Sequence, residues 1–318
     1  MSVPYEKTAA IVYLPAVRGG RLRDSSLRRW LLRADLQLLA EPQELLASAL
    51  GQLNLPYSEE GLGALRMWGQ TGDRPTVWIA AADPVYLEPR LDHLCLHSLG
   101  RESVPMNDLR PLFDHLQTVL GEDSGYGFAR VGSCGYLRAA DPVSTAIMPS
   151  YVVHGDMPNE HMPSGEASGT YRNLVSEVEM ALHDHEVNLR RQEEGLQPIN
   201  CLWFWGGGFA PEQKTEPRPP LFADDPLLKG YWLSKTAVAE PWPGNIADCL
   251  EQSVAGFVAV VPEDDNPELL GRCLAELRVA LQSGRLSRLT LVFRDGIEAT
   301  VLSKHAWRMW RTSSALLD

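Results

Sequence analysis

The sequence predicts an α/β protein with a mostly parallel central sheet and helices on both faces, interrupted by an α+β insertion. Three observations lead there. Strand-length apolar runs near both ends of the chain alternate with helical stretches, the pattern of βαβ units. Two of these runs, Ala9-Ala10-Ile11-Val12-Tyr13-Leu14 and Gly256 to Val261, lack polar alternation, as strands buried on both faces do. The middle instead carries short runs, Tyr126 to Val131 and Tyr136 to Ala139, separated by Gly132 and Gly135, which suits an antiparallel pair. The expected boundaries are 1–74 with 199–318 for the α/β core and 75–198 for the insertion.

The elements follow in order. The first strand stops at Pro15, and helical patterns follow at 25–40 and 42–51, the second opened by Pro42 at a first-turn position. Asn54 to Arg74 is glycine-rich and polar and reads as a connection. Thr76 to Ala81 and Leu91 to His97 read as strands, and Asn107 as the cap of a helix running to Leu120 and ended by Gly121. Ala82-Asp83-Pro84 and Ala140-Asp141-Pro142 read as turn starters at strand ends. Segment 141–167 has no periodicity. From Thr170 to Val187, the residues Tyr171, Leu174, Val175, Val178, Ala181 and Leu182 share one helical face. Arg190 to Glu194 continue that helix, and Gly195 ends it.

The last third begins with a strand, Asn200 to Trp205, broken by Gly206-Gly207-Gly208. Segment 211–226, with five prolines, reads as a surface loop. Helices are expected at 225–234, ending in a short strand, and at 245–253. Helix Pro267 to Gln282 separates strand Gly256 to Val261 from strand Arg288 to Phe293. Asp295-Gly296 then makes a hairpin turn into Glu298 to Leu302.

Composition narrows the function. The chain has 318 residues, 44% of them hydrophobic and 22% charged, which excludes wholesale disorder. The net charge of −12 argues against a non-specific nucleic-acid binder, which needs a basic surface. No apolar window of about 18 residues spans a membrane, and the N-terminus lacks the basic start and apolar stretch of a signal peptide. Five cysteines without a C-x-x-C pattern suit neither a disulfide framework nor a zinc knuckle. Cytoplasm is the expected compartment. Nine tryptophans are unevenly placed: four, Trp203, Trp205, Trp232 and Trp242, stand close together, and Trp307 and Trp310 come near the end. In that last stretch, His305 to Arg311, the rings are expected to dock the segment on the core; an exposed aromatic-basic patch is the alternative.

Two polar constellations could carry chemistry. In His183-Asp184-His185-Glu186-Val187-Asn188-Leu189-Arg190-Arg191, the two imidazoles project about 200° apart on a helix and cannot chelate one ion together. His185, Asn188 and Arg191 could hold an anion; equally, His185 and Asn188 could satisfy buried backbone at the turn. In Leu202-Trp203-Phe204-Trp205-Gly206-Gly207-Gly208, the glycines permit close backbone approach at a strand's carboxyl end, and Trp203 and Trp205 share a face. Core packing with a tight turn is the plainer reading of the Trp pair. No Walker A lysine follows, and Gly-Ser-Cys-Gly around Ser133 is not a hydrolase elbow.

His185-Glu186-Val187-Asn188-Leu189-Arg190-Arg191, with Gly195, Pro198, Asn200 and Gly206-Gly207-Gly208, resembles a block of archaeal-type cofactor-independent phosphoglycerate mutases, members of the alkaline-phosphatase-like superfamily. That resemblance covers 170–245. Nearly the whole chain resembles a proteobacterial set of mutase-like proteins, some of them regulators of pathogenicity factors. It does so through Ala82-Asp83-Pro84, Leu182-His183-Asp184-His185, Leu202 to Gly208 and the terminal Trp307, Trp310 and Arg311. The resemblance implies a reduced alkaline-phosphatase-like core. Catalysis in the mutases uses a Ser or Thr nucleophile and two divalent metals held by Asp and His.

This chain departs from that pattern. Leu14-Pro15-Ala16 replaces the Asp-Gly ligand motif after the first strand, and no nucleophile context follows. Pro262-Glu263-Asp264-Asp265-Asn266 lacks the expected His, and Asp295-Gly296 replaces an Asp-His pair. Trp205 stands where the mutase pattern carries a phosphate-holding Arg.

The resulting expectation is a bacterial mutase-like pseudoenzyme that binds a phosphorylated small molecule or a protein partner, in a regulatory role. Its ligand would be held by His185, Asn188, Arg191, Asn200, Trp203, Trp205, Gly206, Gly207 and Gly208, with no metal or cofactor. One alternative is an active metal-dependent phosphoglycerate mutase or phosphatase with a rearranged metal set that could use Asp83, His183, Asp264 and Asp295; convergence of three or more of Asp83, His154, His161, His183, Asp264 and Asp295 within ligand reach would favour it. The other is an interaction scaffold using the Trp-rich surface and the 211–226 loop.

Overall fold

The computed structural model describes residues 8–39, 44–100, 104–121, 125–165, 168–253, 255–263 and 267–317. In chain order its elements are β1 (Ala9–Leu14), α1 (Ser25–Leu32), β2 (Asp35–Leu38), α2 (Leu45–Gln52), α3 (Leu62–Thr71), β3 (Ile79–Pro89) and β4 (Leu94–Ser98). Then come α4 (Met106–Leu116), β5 (Tyr126–Val131), β6 (Cys134–Ala139), α5 (Ser168–Leu182), α6 (Glu186–Glu193) and β7 (Cys201–Gly208). The last are β8 (Leu221–Phe222), α7 (Pro226–Ser234), β9 (Ala239–Glu240), α8 (Ile246–Gln252), β10 (Gly256–Val260), α9 (Pro267–Gln282), β11 (Arg288–Phe293) and β12 (Ile297–Leu302). They form two compact units, residues 1–56 with 214–318, and residues 57–213.

The first unit is the α/β layer structure. Its seven-stranded sheet runs β2-β12-β11-β1-β10-β8-β9, with β1 parallel to both β10 and β11 and only the β11-β12-β2 end antiparallel. Alternate residues of β1 face opposite sides. Ala10, Val12 and Leu14 join a core with Leu31 of α1, Cys249 of α8 and Leu274 and Leu277 of α9. On the other face the Tyr13 hydroxyl donates to Ser48 of α2 at 2.9 Å, so helices cover both sides. Burial raises the Tyr13 pKa well above the ordinary phenol value. Helix starts are capped by side chains: Asp24 accepts from Ser26 and Leu27 before α1, and Asp225 from Leu228 before α7, where Pro226 fills the first turn.

The second unit is built on an antiparallel sheet in which β3 is the longest strand. Strand β6 pairs with Ile79 to Ala82, β4 with Val85 to Pro89, and β7 runs alongside from Ile79 to Val85. Helix α3 packs on β3 and β7, while α4 packs on β5 and α5 on β7. Close approach of α3 needs glycine: a Cβ on Gly63 would lie 2.4 Å from the Ala81 nitrogen.

Several local expectations are corrected. The 25–40 helix stops at Leu32, and Asp35 to Leu38 form an edge strand instead. Helix α2 starts at Leu45, with Glu44 as its cap, and Pro42 lies outside the described residues. The 54–74 connection contains α3. Ala82-Asp83-Pro84 is not a turn but the middle of β3. Pro84 is tolerated there because β6 has ended at Ala82 and β4 begins at Val85, so its missing N–H breaks neither ladder. Helix α4 starts at Met106 behind Pro105, so Asn107 is inside it rather than its cap. The 170–194 helix is two helices, interrupted at His183 to His185.

The strand starting near Asn200 continues through the glycines and pairs antiparallel with β3. It joins the sheet of the second unit, not the parallel sheet. Accordingly 57–74 and 199–213 belong with the second unit, and the division falls at 56/57 and 213/214. The expected 211–226 loop also contributes β8 to the first sheet.

Candidate functional site

His185 is the N-cap of α6, its Nδ1 accepting from the Val187 N–H at 3.2 Å. The His115 ring stands edge-on at 5.0 Å. Burial, with the nearby His115 second, holds His185 below the usual imidazole range. Asn188 is fully buried and spans a turn: its amide nitrogen donates to Leu182 and Ile199 carbonyls, and its oxygen accepts from Ile199 N–H at 2.8 Å. Arg191, 1% exposed, donates through Nη1 to Asp108 at 2.8 Å and through Nε to the Gln197 carbonyl. Arg190 holds the other Asp108 oxygen at 2.5 Å. The amide and guanidinium of this block therefore point into the protein and bind its own backbone and Asp108. His183 is exposed, 3.8 Å from Asp184.

The strand residues are also committed to internal partners. The Asn200 side chain both donates to and accepts from the Leu87 backbone, extending the β-ladder. Trp203 lies opposite Asp83 and Trp205 opposite Ala81, so the two rings share a face. Both are buried; the Trp203 indole donates to the Met148 carbonyl at 2.9 Å and the Trp205 indole to Asp83 at 2.7 Å. The glycines approach protein: a Cβ on Gly206 would fall 2.6 Å from Leu62, on Gly207 2.4 Å from the Trp78 ring, and on Gly208 2.5 Å from the Gly61 nitrogen.

Sequence reading missed the residue at the centre of this arrangement, Arg66 of α3. Its Nη1 meets Asp83 Oδ1 at 2.6 Å and its Nη2 donates to the Gly135 carbonyl at 2.7 Å. The guanidinium also lies over the Tyr136 and Trp205 rings, at 4.9 and 5.3 Å. The second Asp83 oxygen accepts from Trp205 and from the Ser150 hydroxyl. An Asp inside an apolar run was the available signal; its partner lay in a stretch that looked like a loop.

In the first unit, Asp295 follows the carboxyl end of β11 beside that of β1. Its Oδ2 accepts from the Val17 and Arg18 N–H groups at 3.0 and 2.8 Å, and Arg18 Nη2 donates to its carbonyl at 2.6 Å. Of the other residues named for a rearranged metal set, His154 Nδ1 accepts from the Ser98 N–H, and His161 stands 3.2 Å from Asp156. Asp264, like Asp265 and Asn266, lies outside the described residues. Among the described residues, the group of three His, Cys, Asp or Glu with ligand atoms within 4.8 Å of one another is Glu88, Cys95 and His97. The alternation in Leu94-Cys95-Leu96-His97 could have flagged two of them.

At the chain's end the expected docking is reversed. Trp307 and Trp310 are 81% and 73% exposed, while Arg308 and Arg311 reach Asp35 and the Arg33 and Ala34 carbonyls.

No protein-family model matches the chain. A stretch of 141 residues is 28% identical to a probable 2,3-bisphosphoglycerate-independent phosphoglycerate mutase of Geobacter sulfurreducens, covering 41% of this chain and 33% of that protein. Another match, 27% over 124 residues, is to the 2,3-bisphosphoglycerate-independent phosphoglycerate mutase of Methanosarcina barkeri, covering 38% and 31% respectively. The matches thus span about a third of these relatives' length. Among solved structures, a cofactor-independent phosphoglycerate mutase from Thermoplasma acidophilum aligns over 93% of this chain and 89% of its own, at 17% identity and a TM-score of 0.43. In sequence the chain is phosphoglycerate-mutase-like. Among the described residues, no helix is long and apolar enough to cross a membrane.

Proposed function

We propose that this phosphoglycerate-mutase-like protein acts by binding, in an accessory or regulatory role, and does not transfer phosphoryl groups. One observation carries the reading. Two of the three places where the resemblance implies metal-ligand motifs, the segment after β1 and the Asp295 position, are hydrogen-bonded to each other. A two-metal transfer needs carboxylates and imidazoles free to clamp ions against the attacking and leaving oxygens. Here one carboxylate oxygen of Asp295 caps backbone N–H groups and the other is buried without a partner, and among the described residues Asp295 joins no group of three possible metal ligands. The likeness to the proteobacterial regulator set supports the same reading. Because Asn188 and Arg191 are engaged internally, a protein partner is favoured over a phosphorylated small molecule.

The test is turnover. Purified protein with 3-phosphoglycerate, or with p-nitrophenyl phosphate, and added Mn²⁺, Mg²⁺ or Zn²⁺ is expected to form no 2-phosphoglycerate and release no nitrophenol above the buffer control. Metal-dependent turnover that disappears in Asp295→Asn would overturn the proposal. A rise in Tm with 3-phosphoglycerate that is lost in Arg191→Lys would restore the small-molecule ligand.

A further inference from the structure

The β3–β4 hairpin places three different metal-binding side chains on one face. Glu88 and Cys95 are directly opposed in the antiparallel register, and residues so paired project to the same side. His97 is two residues beyond Cys95 and so joins them. The carboxylate, thiol and imidazole ligand atoms all lie within 4.8 Å of one another. The His97 Nε2 already meets Glu88 Oε2 at 2.7 Å.

We propose that Glu88, Cys95 and His97 form a binding site for a borderline divalent cation, Zn²⁺ above all, with one coordination position left open. The chemistry of the donor set selects the ion. Oxygen, sulfur and nitrogen donors together suit zinc, whereas magnesium and calcium take oxygen alone. Ligand atoms around a tetrahedral zinc stand roughly 3.3–3.8 Å apart, given bond lengths of about 2.0–2.3 Å. The present spread reaches that with small side-chain movements, because a sheet face holds the three Cβ positions fixed.

The surroundings support the assignment. Cys95 is buried, while Glu88 and His97 keep 30% and 20% side-chain exposure, which leaves an entry path. The Tyr86 ring stacks on His97 and the His154 ring meets it edge-on, fixing the imidazole plane. His154 itself accepts the Ser98 N–H at Nδ1, so its neutral tautomer carries the proton on Nε2 and is not a fourth ligand. One group competes. Arg90 contacts the same Glu88 oxygen at 2.7 Å; half-exposed, it can swing to solvent when an ion takes the carboxylate. Binding releases the thiol proton to solvent, and the proton that His97 Nε2 now donates to the Glu88 carboxylate passes to Nδ1 as Nε2 turns to the ion.

The site lies in the second unit and none of its residues is among those implied for phosphoryl transfer, so it stands or falls apart from the function proposed above. The experiment is a Co²⁺ titration of the chelator-treated full-length protein, followed by displacement with Zn²⁺. One equivalent of Co²⁺ should produce the near-ultraviolet thiolate-to-cobalt band and the visible bands of a tetrahedral site, and Zn²⁺ should abolish both. Cys95→Ser should lose the near-ultraviolet band, and Cys134→Ser should keep it. Glu88→Gln, on the partly exposed rim where refolding is not at stake, should weaken binding at least about 10-fold, the lower end of what loss of an outer-shell partner costs. Arg90→Ala should bind as tightly as the parent or tighter. Absence of the band in the parent protein, its survival in Cys95→Ser, or unchanged affinity in Glu88→Gln would each overturn the assignment.

Discussion

The guanidinium of Arg66 and the carboxylate of Asp83 form an ion pair at 2.6 Å, with side-chain exposures of only 9% and 14%. The pair joins helix α3 to the middle of β3, and Trp205 and Ser150 complete the carboxylate's hydrogen bonds. Arg66→Met should therefore destabilise the protein by about 3–5 kcal/mol, because it strands a buried carboxylate. The double variant Arg66→Met with Asp83→Asn should lose clearly less than the sum of the two single changes. Urea unfolding of the four proteins measures both.

Asn188 distinguishes a structural block from a ligand site. Its side chain serves three backbone groups at the α6 turn, all in the interior. Asn188→Ala should cost at least about 3 kcal/mol, since each orphaned buried group costs roughly 1–3 kcal/mol. Thermal unfolding in plain buffer should reveal the loss with no ligand added. An unchanged Tm would return Asn188 to the list of ligand contacts.

Stability should fall as pH drops below the ordinary histidine value of about 6.5. Burial, the larger cause, and His115 lower the folded-state affinity of His185 for a proton. The unfolded chain then binds more protons, and stability rises with pH through this window and is lost on acidification. Protonation of Nδ1 would also break the cap on Val187. The drop in urea midpoint between about pH 7.5 and about pH 5.5 should shrink in His185→Asn, which caps without titrating in this range. An equal drop in that variant would refute the assignment.

Thiol reactivity should follow burial. All five cysteines are thiols, and Cys134 is the most exposed of them. Burial, foremost among the causes, pushes the Cys249 and Cys273 thiols up to about 12. An aromatic disulfide reagent at neutral pH should label Cys134 first, and reach Cys201, Cys249 and Cys273 only as the protein unfolds. Peptide mapping after short labelling decides this.

The exposed terminal rings give a stability contrast. Trp307→Ser with Trp310→Ser should shift unfolding by no more than about 0.5 kcal/mol, as surface changes usually do. The same variant should lose a large part of the acrylamide-quenchable fluorescence. A larger loss of stability would mean that the rings, and not Arg308 and Arg311, hold the segment.

The first unit was legible because parallel strands buried on both faces read as unbroken apolar runs, as β1 and β10 do and β11 does after Arg288 except at Thr290, which is itself buried. Strand β2 was not, since Asp35-Leu36-Gln37-Leu38 continues the helical spacing of α1 for one more turn. Helix α3 was hidden by Gly61 and Gly63, glycines placed for contact with β7 and β3, not for a loop. At the candidate site, period two correctly put Trp203 and Trp205 on one face. What that face meets depends on pairing with β3 and on a helix the local pattern did not reveal. The place of Asn188 near a helix end points to a backbone partner, and it serves three backbone groups there. Arg66 and Asp83 are joined only by tertiary packing, which no local spacing records.

The central strand of the parallel sheet is the first one made. During synthesis β1 leaves the ribosome with neither neighbour in existence, because β10 and β11 lie near the other end of the chain. The whole second unit is translated in between. An apolar strand with two unpaired edges must therefore wait until the second unit and then β10 and β11 have emerged, which makes assembly of this sheet slow and the nascent chain a client for chaperones.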